Sequence, residues 1–126
     1  MSFYDRLRAI QKKNNTLLCV GLDPDLNKIP KHLLLQGDPV GEFCRRIIGA
    51  TSDLVCAYKL NLAFFETLGE RGWSTVHRVL SFIPHDVITI GDGKRGDIGN
   101  TADMYARALM DGFKFTAATV NPYMGE

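Results

Sequence analysis

The chain has 126 residues, 45% of them hydrophobic and 23% charged, and its 15 basic and 14 acidic residues leave a net charge of +1. That balance fits a globular domain able to bury a core, and the interspersed charges exclude a basic stripe made for nucleic acid or an anionic membrane. No apolar run approaches the roughly 20 residues of a membrane helix, and the first residues lack the apolar stretch of a signal peptide.

In chain order, apolar runs alternate with amphipathic segments. Ser2-Phe3-Tyr4-Asp5 reads as a capping box that opens a helix through about Lys13. Positions 16–22 are apolar without alternation, the pattern of a strand covered on both faces. Asp38-Pro39 predicts an N-cap with proline at the first helical position, and Val40, Phe43, Cys44, Ile47 and Ile48 follow at helical spacing. A second strand is expected over 53–58. Helix is expected over 64–83, broken near Gly69 and Gly72 and stopped by Pro84. The third strand is expected over 86–91. Ala102, Tyr105, Ala106, Leu109 and Met110 mark another helix with Gly112 as its C-cap, and 115–120 is the fourth strand. Cys19, Cys44 and Cys56 form no CxxC pair and read as reduced, buried thiols of a cytosolic protein. His32, His77 and His85 are scattered and read as surface or helix-end residues rather than bases.

Strand–helix repeats argue for parallel strands joined by crossovers. A four-stranded Rossmann-like sheet and half of a (β/α)₈ barrel both fit. Each strand hands over to polar residues at its carboxyl end: Asp23 and Asp25, Lys59 and Asn61, Asp92 and Lys94, Asn121 and Tyr123. A barrel gathers such ends at one mouth, whereas an open sheet concentrates chemistry at a switch point. Contributions from four consecutive strands favour the barrel. The expected fold is therefore α/β: the N-terminal half of a TIM barrel, four parallel strands alternating with helices. Residues 1–126 then form a single partial domain. A whole barrel takes about 250 residues, and no covering helix follows the fourth strand, so the chain reads as a fragment whose C-terminal half is absent.

The run Asp92-Gly93-Lys94-Arg95-Gly96-Asp97-Ile98 carries the densest chemistry. Alternating charge at the mouth of a buried strand means either interlocked ion pairs or a working site, because unmatched buried charge is costly. Gly91-x-Gly93-x-x-Gly96 matches a bare dinucleotide fingerprint, but Asp92 would face the pyrophosphate and the motif follows the third strand, not the first. Lys59, at the end of the neighbouring strand, either snorkels to solvent or meets these carboxylates.

These residues resemble orotidine 5′-phosphate decarboxylase. Asp92-x-Lys94-x-x-Asp97-Ile98, continued by Gly99-Asn100-Thr101, is similar to the family's signature. Tyr58-Lys59-Leu60-Asn61-Leu62-Ala63-Phe64-Phe65-Glu66 is similar to the second-strand segment of its bacterial subgroup with longer chains. Gly21-Leu22-Asp23-Pro24-Asp25 and Val120-Asn121-Pro122-Tyr123-Met124-Gly125 are similar to its first- and fourth-strand ends. Gly93 departs from the pattern, where alanine is more usual. The DxKxxD element alone is shared with other phosphosugar enzymes.

The resemblance implies cofactor-free loss of carbon dioxide from orotidine 5′-phosphate to give uridine 5′-phosphate in pyrimidine biosynthesis, with no metal. It implies catalytic roles for Lys59, Asp92, Lys94 and Asp97, and substrate contacts from Asp23, Asn61 and Thr101. It further implies a cytoplasmic homodimer in which Asp97 and Thr101 serve the neighbour's site. The family's phosphate grip lies in the second half-barrel, so residues 1–126 alone are expected to be inactive. Two alternatives stay open. One is a metal-dependent relative such as hexulose-phosphate synthase or 3-keto-gulonate-phosphate decarboxylase, which places an acidic metal ligand where Lys59 stands. The other is an inactive fragment that associates with another polypeptide.

Overall fold

The computed structural model describes residues 1–124; Gly125, which closes the expected fourth-strand motif, and Glu126 lie outside the described residues. Four strands, β1 (Cys19–Leu22), β2 (Ala57–Asn61), β3 (Ile88–Asp92) and β4 (Ala117–Ala118), form one sheet in the order β1-β2-β3-β4. All three pairings are parallel. This sequential order has no switch point, so it excludes the Rossmann-like alternative and agrees with the barrel half.

The helices are α1 (Phe3–Asn14), α2 (Pro39–Thr51), α3 (Leu62–Glu66), α4 (Arg71–Phe82) and α5 (Gly99–Ala106), the last continued by a π-turn over Arg107–Gly112. Both predicted N-caps form, whereas Gly112, expected as a C-cap, is the last residue of the π-turn and Phe113 caps it. The Ser2 hydroxyl accepts from the Asp5 N–H while the Asp5 carboxylate accepts from the Ser2 N–H at 3.0 Å, and the Asp38 carboxylate accepts from the Gly41 N–H at 2.9 Å. Such caps satisfy backbone donors that the first helical turn leaves free.

Strand alternation separates the sheet's two faces. Tyr58 and Leu60 point outward and are fully buried, and the Tyr58 hydroxyl meets the Thr51 hydroxyl at 2.6 Å against α2. Phe65, Val76 and Val79 complete this layer from α3 and α4. Gly69 (φ 62) turns the chain between those two helices, as the sequence predicted. Gly72, by contrast, lies inside α4 rather than at a break. A Cβ there would sit 2.2 Å from the Phe65 carbonyl oxygen, so the glycine serves close helix packing.

Helix α1 closes the amino-terminal end of the strands. The Asn14 amide donates to the carbonyls of Ser52 and Val55, just ahead of β2, and Lys13 pairs with Asp86 at 2.6 Å, just ahead of β3. The opposite, carboxyl end is left clear.

Several boundaries move. The second strand starts at Ala57, not 53, because 51–54 make a turn in which the Leu54 N–H donates to the Thr51 carbonyl. It runs on through Lys59 and Asn61, and β3 likewise includes Asp92. Lys59, Asn61 and Asp92 are thus inward-facing members of the strands, whereas Asp23, Asp25, Lys94, Asn121 and Tyr123 lie beyond the strand ends. The ladder of β4 is confined to Ala117 and Ala118, paired with Ile90 and Gly91 of β3. The cysteine expectation needs one correction: Cys44 and Cys56 are buried, but Cys19 lies on the inner face of the edge strand β1 and is exposed.

Candidate active site

The strand register assembles the inner face in layers. Gly21, Lys59, Ile90 and Ala117 pair across the sheet, and Asn61 pairs with Asp92 one step nearer the carboxyl end. Asp23 and Thr119 follow β1 and β4 at the same level. Lys59, Asn61 and Asp92 share a face because alternate strand residues point the same way.

Asp92 is the hub. Its side chain is only 6% exposed, and three groups donate to it: Lys59 Nζ to Oδ2 at 2.9 Å, Lys94 Nζ to Oδ1 at 2.9 Å, and Thr119 Oγ1 to Oδ1 at 2.7 Å. A carboxylate this buried is costly unless paired and hydrogen-bonded, and here both conditions are met. The Lys59 ammonium, with Thr119 and Lys94 behind it, holds the Asp92 carboxyl well below its ordinary range. Asp92 in turn raises the Lys59 ammonium, outweighing the partial burial that opposes it. Two ammoniums against one carboxylate leave a positive charge directed at the open mouth.

Lys94 has φ 50, in the left-handed region that an L-residue enters at a cost of about 1–2 kcal/mol. The bend turns its side chain back over Asp92, two residues earlier. Beside this trio the Asn61 amide donates to Asp23 Oδ2 at 3.0 Å, while Asn61 Oδ1 accepts from the Ala63 N–H and so caps α3. The trio and the Asp23–Asn61 pair thus unite five of the seven residues singled out from the sequence.

The other two stand apart. Asp97 Oδ1 accepts from the Ile98 N–H at 2.7 Å, and Asp97 lines a 290 Å³ cleft with Tyr105, Met110 and Asn121. Thr101 is exposed on α5, a helix with no buried residue. Asp25 and Asn121 also turn into their own loops, accepting from the N–H groups of Asn27 and Tyr123. The imidazoles stay out of the site: His77 packs on Phe113 with ring centroids 4.6 Å apart, and His32 and His85 are exposed. An apolar cleft of 670 Å³ between α4 and the π-turn, lined by Trp73, His77, Tyr105 and Phe113, lies off the charged trio.

Two contributors were not singled out from the sequence. Thr119 was hidden inside an apolar strand run, although alternation from Ala117 would have put it on the inner face. Arg95, inside the charged motif, pairs with Glu66 of α3 and ties the loop after β3 to the helix after β2.

An ammonium held against a buried carboxylate, above a face open to a ligand, can stabilise developing negative charge and deliver a proton. A protein named orotidine 5′-phosphate decarboxylase from Flavobacterium johnsoniae is 52% identical over 122 residues, covering 94% of this chain and 44% of that protein. One of the same name from Dehalococcoides mccartyi is 50% identical over 125 residues, covering 99% and 44%. The solved structure of Leishmania donovani OMP decarboxylase superposes with a TM-score of 0.84 at 40% identity, covering 99% of this chain and 46% of that one. The chain thus spans less than half the length of these relatives. Residues 16–126 match the Orotidine 5′-phosphate decarboxylase / HUMPS family, and the chain belongs to it.

Proposed function

We propose that residues 1–126 are the N-terminal half of a (β/α)₈ barrel whose complete form decarboxylates orotidine 5′-phosphate to uridine 5′-phosphate without metal or other cofactor. The observation that carries this reading is the Lys59–Asp92–Lys94 chain, with both ammoniums 2.9 Å from one buried carboxylate. In the reaction the bond between C6 and the carboxylate breaks, carbon dioxide leaves, and the electron pair stays on C6. Lys94 stabilises that carbanion and then gives it a proton. Asp92 orients Lys94, and Lys59 holds Asp92 ionised. Asp23 and Asn61, already hydrogen-bonded to each other, are placed to meet ribose hydroxyls.

The family name also covers the HUMPS branch, for which the metal-dependent relatives stand as the second reading. Against it, the Lys59 ammonium occupies the position beside Asp92 where a divalent cation would need an acidic ligand, and it would repel that cation.

Homodimerisation with shared sites belongs to the same proposal. Ile98, Met104, Tyr105 and Met110 are exposed apolar residues flanking Thr101 and Asp97, the surface an association would cover. A cytoplasmic location is supported by three unpaired cysteines, and no helix among the described residues is long and apolar enough to cross a membrane. The half-barrel alone is expected to be inactive, because its inner face opens to solvent without a phosphate grip to supply remote binding energy.

The deciding experiment assays the full-length barrel for carbon dioxide release from orotidine 5′-phosphate after exhaustive chelation. Undiminished turnover supports the reading. Activity that disappears and returns with magnesium moves the protein to the metal-dependent branch.

A further inference from the structure

We propose that Thr119 is a positioning residue, one hydroxyl that fixes both the Asp92 carboxylate and the left-handed backbone of Lys94. The proposal rests on the decarboxylase reading for its effect on turnover, and on geometry alone for the clamp itself.

A threonine hydroxyl has one proton to donate and lone pairs to accept with. Here the proton goes to Asp92 Oδ1 at 2.7 Å, and the oxygen accepts from the Lys94 N–H at 3.0 Å. The same Oδ1 receives the Lys94 ammonium at 2.9 Å, leaving Oδ2 to Lys59. Thr119 therefore sets which carboxylate oxygen faces which lysine. It also holds the Lys94 N–H, which lies past the end of the β3 ladder.

The clamp is anchored to the sheet rather than to the loop. Directly after the Gly91–Ala118 pair, the Thr119 N–H donates to the Gly91 carbonyl at 3.1 Å. Its branched side chain has restricted rotation about χ1, so the hydroxyl is aimed before substrate arrives. The loop bearing Lys94 is bound at its other side by the Arg95–Glu66 pair. Between those two ties Lys94 is held in a strained conformation that its own sequence would not choose. That is preorganisation: the hydroxyl acts through Asp92 and Lys94, not on the substrate.

The test compares Thr119→Val, which keeps the shape and removes the hydroxyl, with Thr119→Ser, which keeps the hydroxyl, both in the full-length barrel. Thr119→Val is expected to lower kcat by about 10- to 100-fold with little change in KM, the scale of a small misplacement of a reacting group. Thr119→Ser should recover most of that loss. Hydrogen exchange at the Lys94 amide should accelerate by about tenfold in Thr119→Val and stay slow in Thr119→Ser, as loss of one hydrogen bond predicts. Equal kcat in wild type and Thr119→Val, or a serine variant as impaired as the valine one, overturns the proposal. If wild type fails to decarboxylate orotidine 5′-phosphate, the functional reading falls, while the exchange comparison still decides the clamp. Should Thr119→Val not fold, Thr119→Ala carries the same comparison.

Discussion

On the outer face of the sheet, Tyr58 and Leu60 are sealed under helices with no exposed surface, whereas Lys59 and Asn61, their immediate neighbours in β2, stand half-open on the inner face. One strand thus alternates between two environments residue by residue. The outer face is apolar and interlocked with α2, α3 and α4. The inner face at the carboxyl end carries a buried carboxylate and two ammoniums, above a layer in which Gly21 and Ala117 stand on the two edge strands. A period of two lets one short segment do both tasks: outward residues supply burial free energy, and inward residues keep charge near a ligand without disturbing the packing behind it. Changes at exposed inner-face side chains such as Lys94 should therefore cost turnover with little stability, and outer-face changes the reverse.

The sharpest break between the two is expected at Lys94. In the full-length barrel, Lys94→Ala should lower kcat by about 10⁴-fold or more, as losses of a group acting in the transition state do. Its urea midpoint should move little, because the side chain is 72% exposed. A large drop in stability would mean that the trio is structural after all. The same variant tests site sharing when mixed with Asp97→Ala. If Asp97 serves the neighbour's site, each heterodimer holds one doubly damaged site and one intact site, and activity returns on subunit exchange. No recovery despite exchange confirmed by mass spectrometry would place Asp97 in its own subunit's site, or in none.

On the outer face, Phe65→Ala removes a side chain with no exposed surface and should cost about 3–5 kcal/mol of stability. Per folded molecule, kcat should survive. Gly72→Ala attacks the same layer by overpacking, because the new methyl would meet a backbone carbonyl rather than a side chain able to move. A loss of about 1–3 kcal/mol is expected. Denaturation midpoints read both, and a Gly72→Ala protein as stable as wild type would show that α3 and α4 can part without penalty.

How far the sequence could reveal this division follows from the same alternation. Helix caps were legible because Ser2, Asp5, Asp38 and Pro39 act on their own neighbours, and local hydrogen bonds need no tertiary knowledge. Strand ends were not. Lys59 and Asp92 looked like the points where apolar strands stop, although both are paired members of the ladder. Their polarity comes from facing an open mouth, which is a property of the assembled sheet. The trio of Lys59, Asp92 and Lys94 was nonetheless visible, since charge at a strand mouth is costly enough to demand partners nearby. Thr119 was invisible for the opposite reason: a hydroxyl among apolar strand residues is cheap, and only the register with β3 brings it to Asp92. The exposed Cys19 was missed likewise, because which edge strand turns its inner face outward is set by the neighbours it has.

The smallest contrast should appear in the pH dependence of stability, where Asp92 on the inner face and Cys44 on the outer face act at opposite ends of the range. On the inner face, Lys59, Thr119 and Lys94 hold the Asp92 carboxyl below its ordinary value of 3.8. A depressed carboxyl stabilises the fold above that value, and the contribution is lost as pH falls through the lower, folded one. On the outer face, burial pushes the Cys44 thiol from 9.0 up to about 12. The unfolded chain can ionise it above pH 9 while the fold keeps it neutral, so this stability is present below 9 and lost as pH rises toward the folded value. Burial also raises Cys19 from 9.0, and the Asp92 partnership raises Lys59 from 10.5, so both add to the alkaline limb. Urea midpoints should be nearly flat from about pH 5 to about pH 8.5 and fall on either side. Asp92→Asn should blunt the acid limb without moving the alkaline onset near 9, and Cys44→Ala should lessen the fall above 9, leaving the part that Cys19 contributes and the acid limb in place. A Cys44→Ala protein that loses stability between pH 9 and 10 as steeply as wild type would show that Cys44 contributes nothing there and that the alkaline limb rests on Cys19 and Lys59 of the inner face.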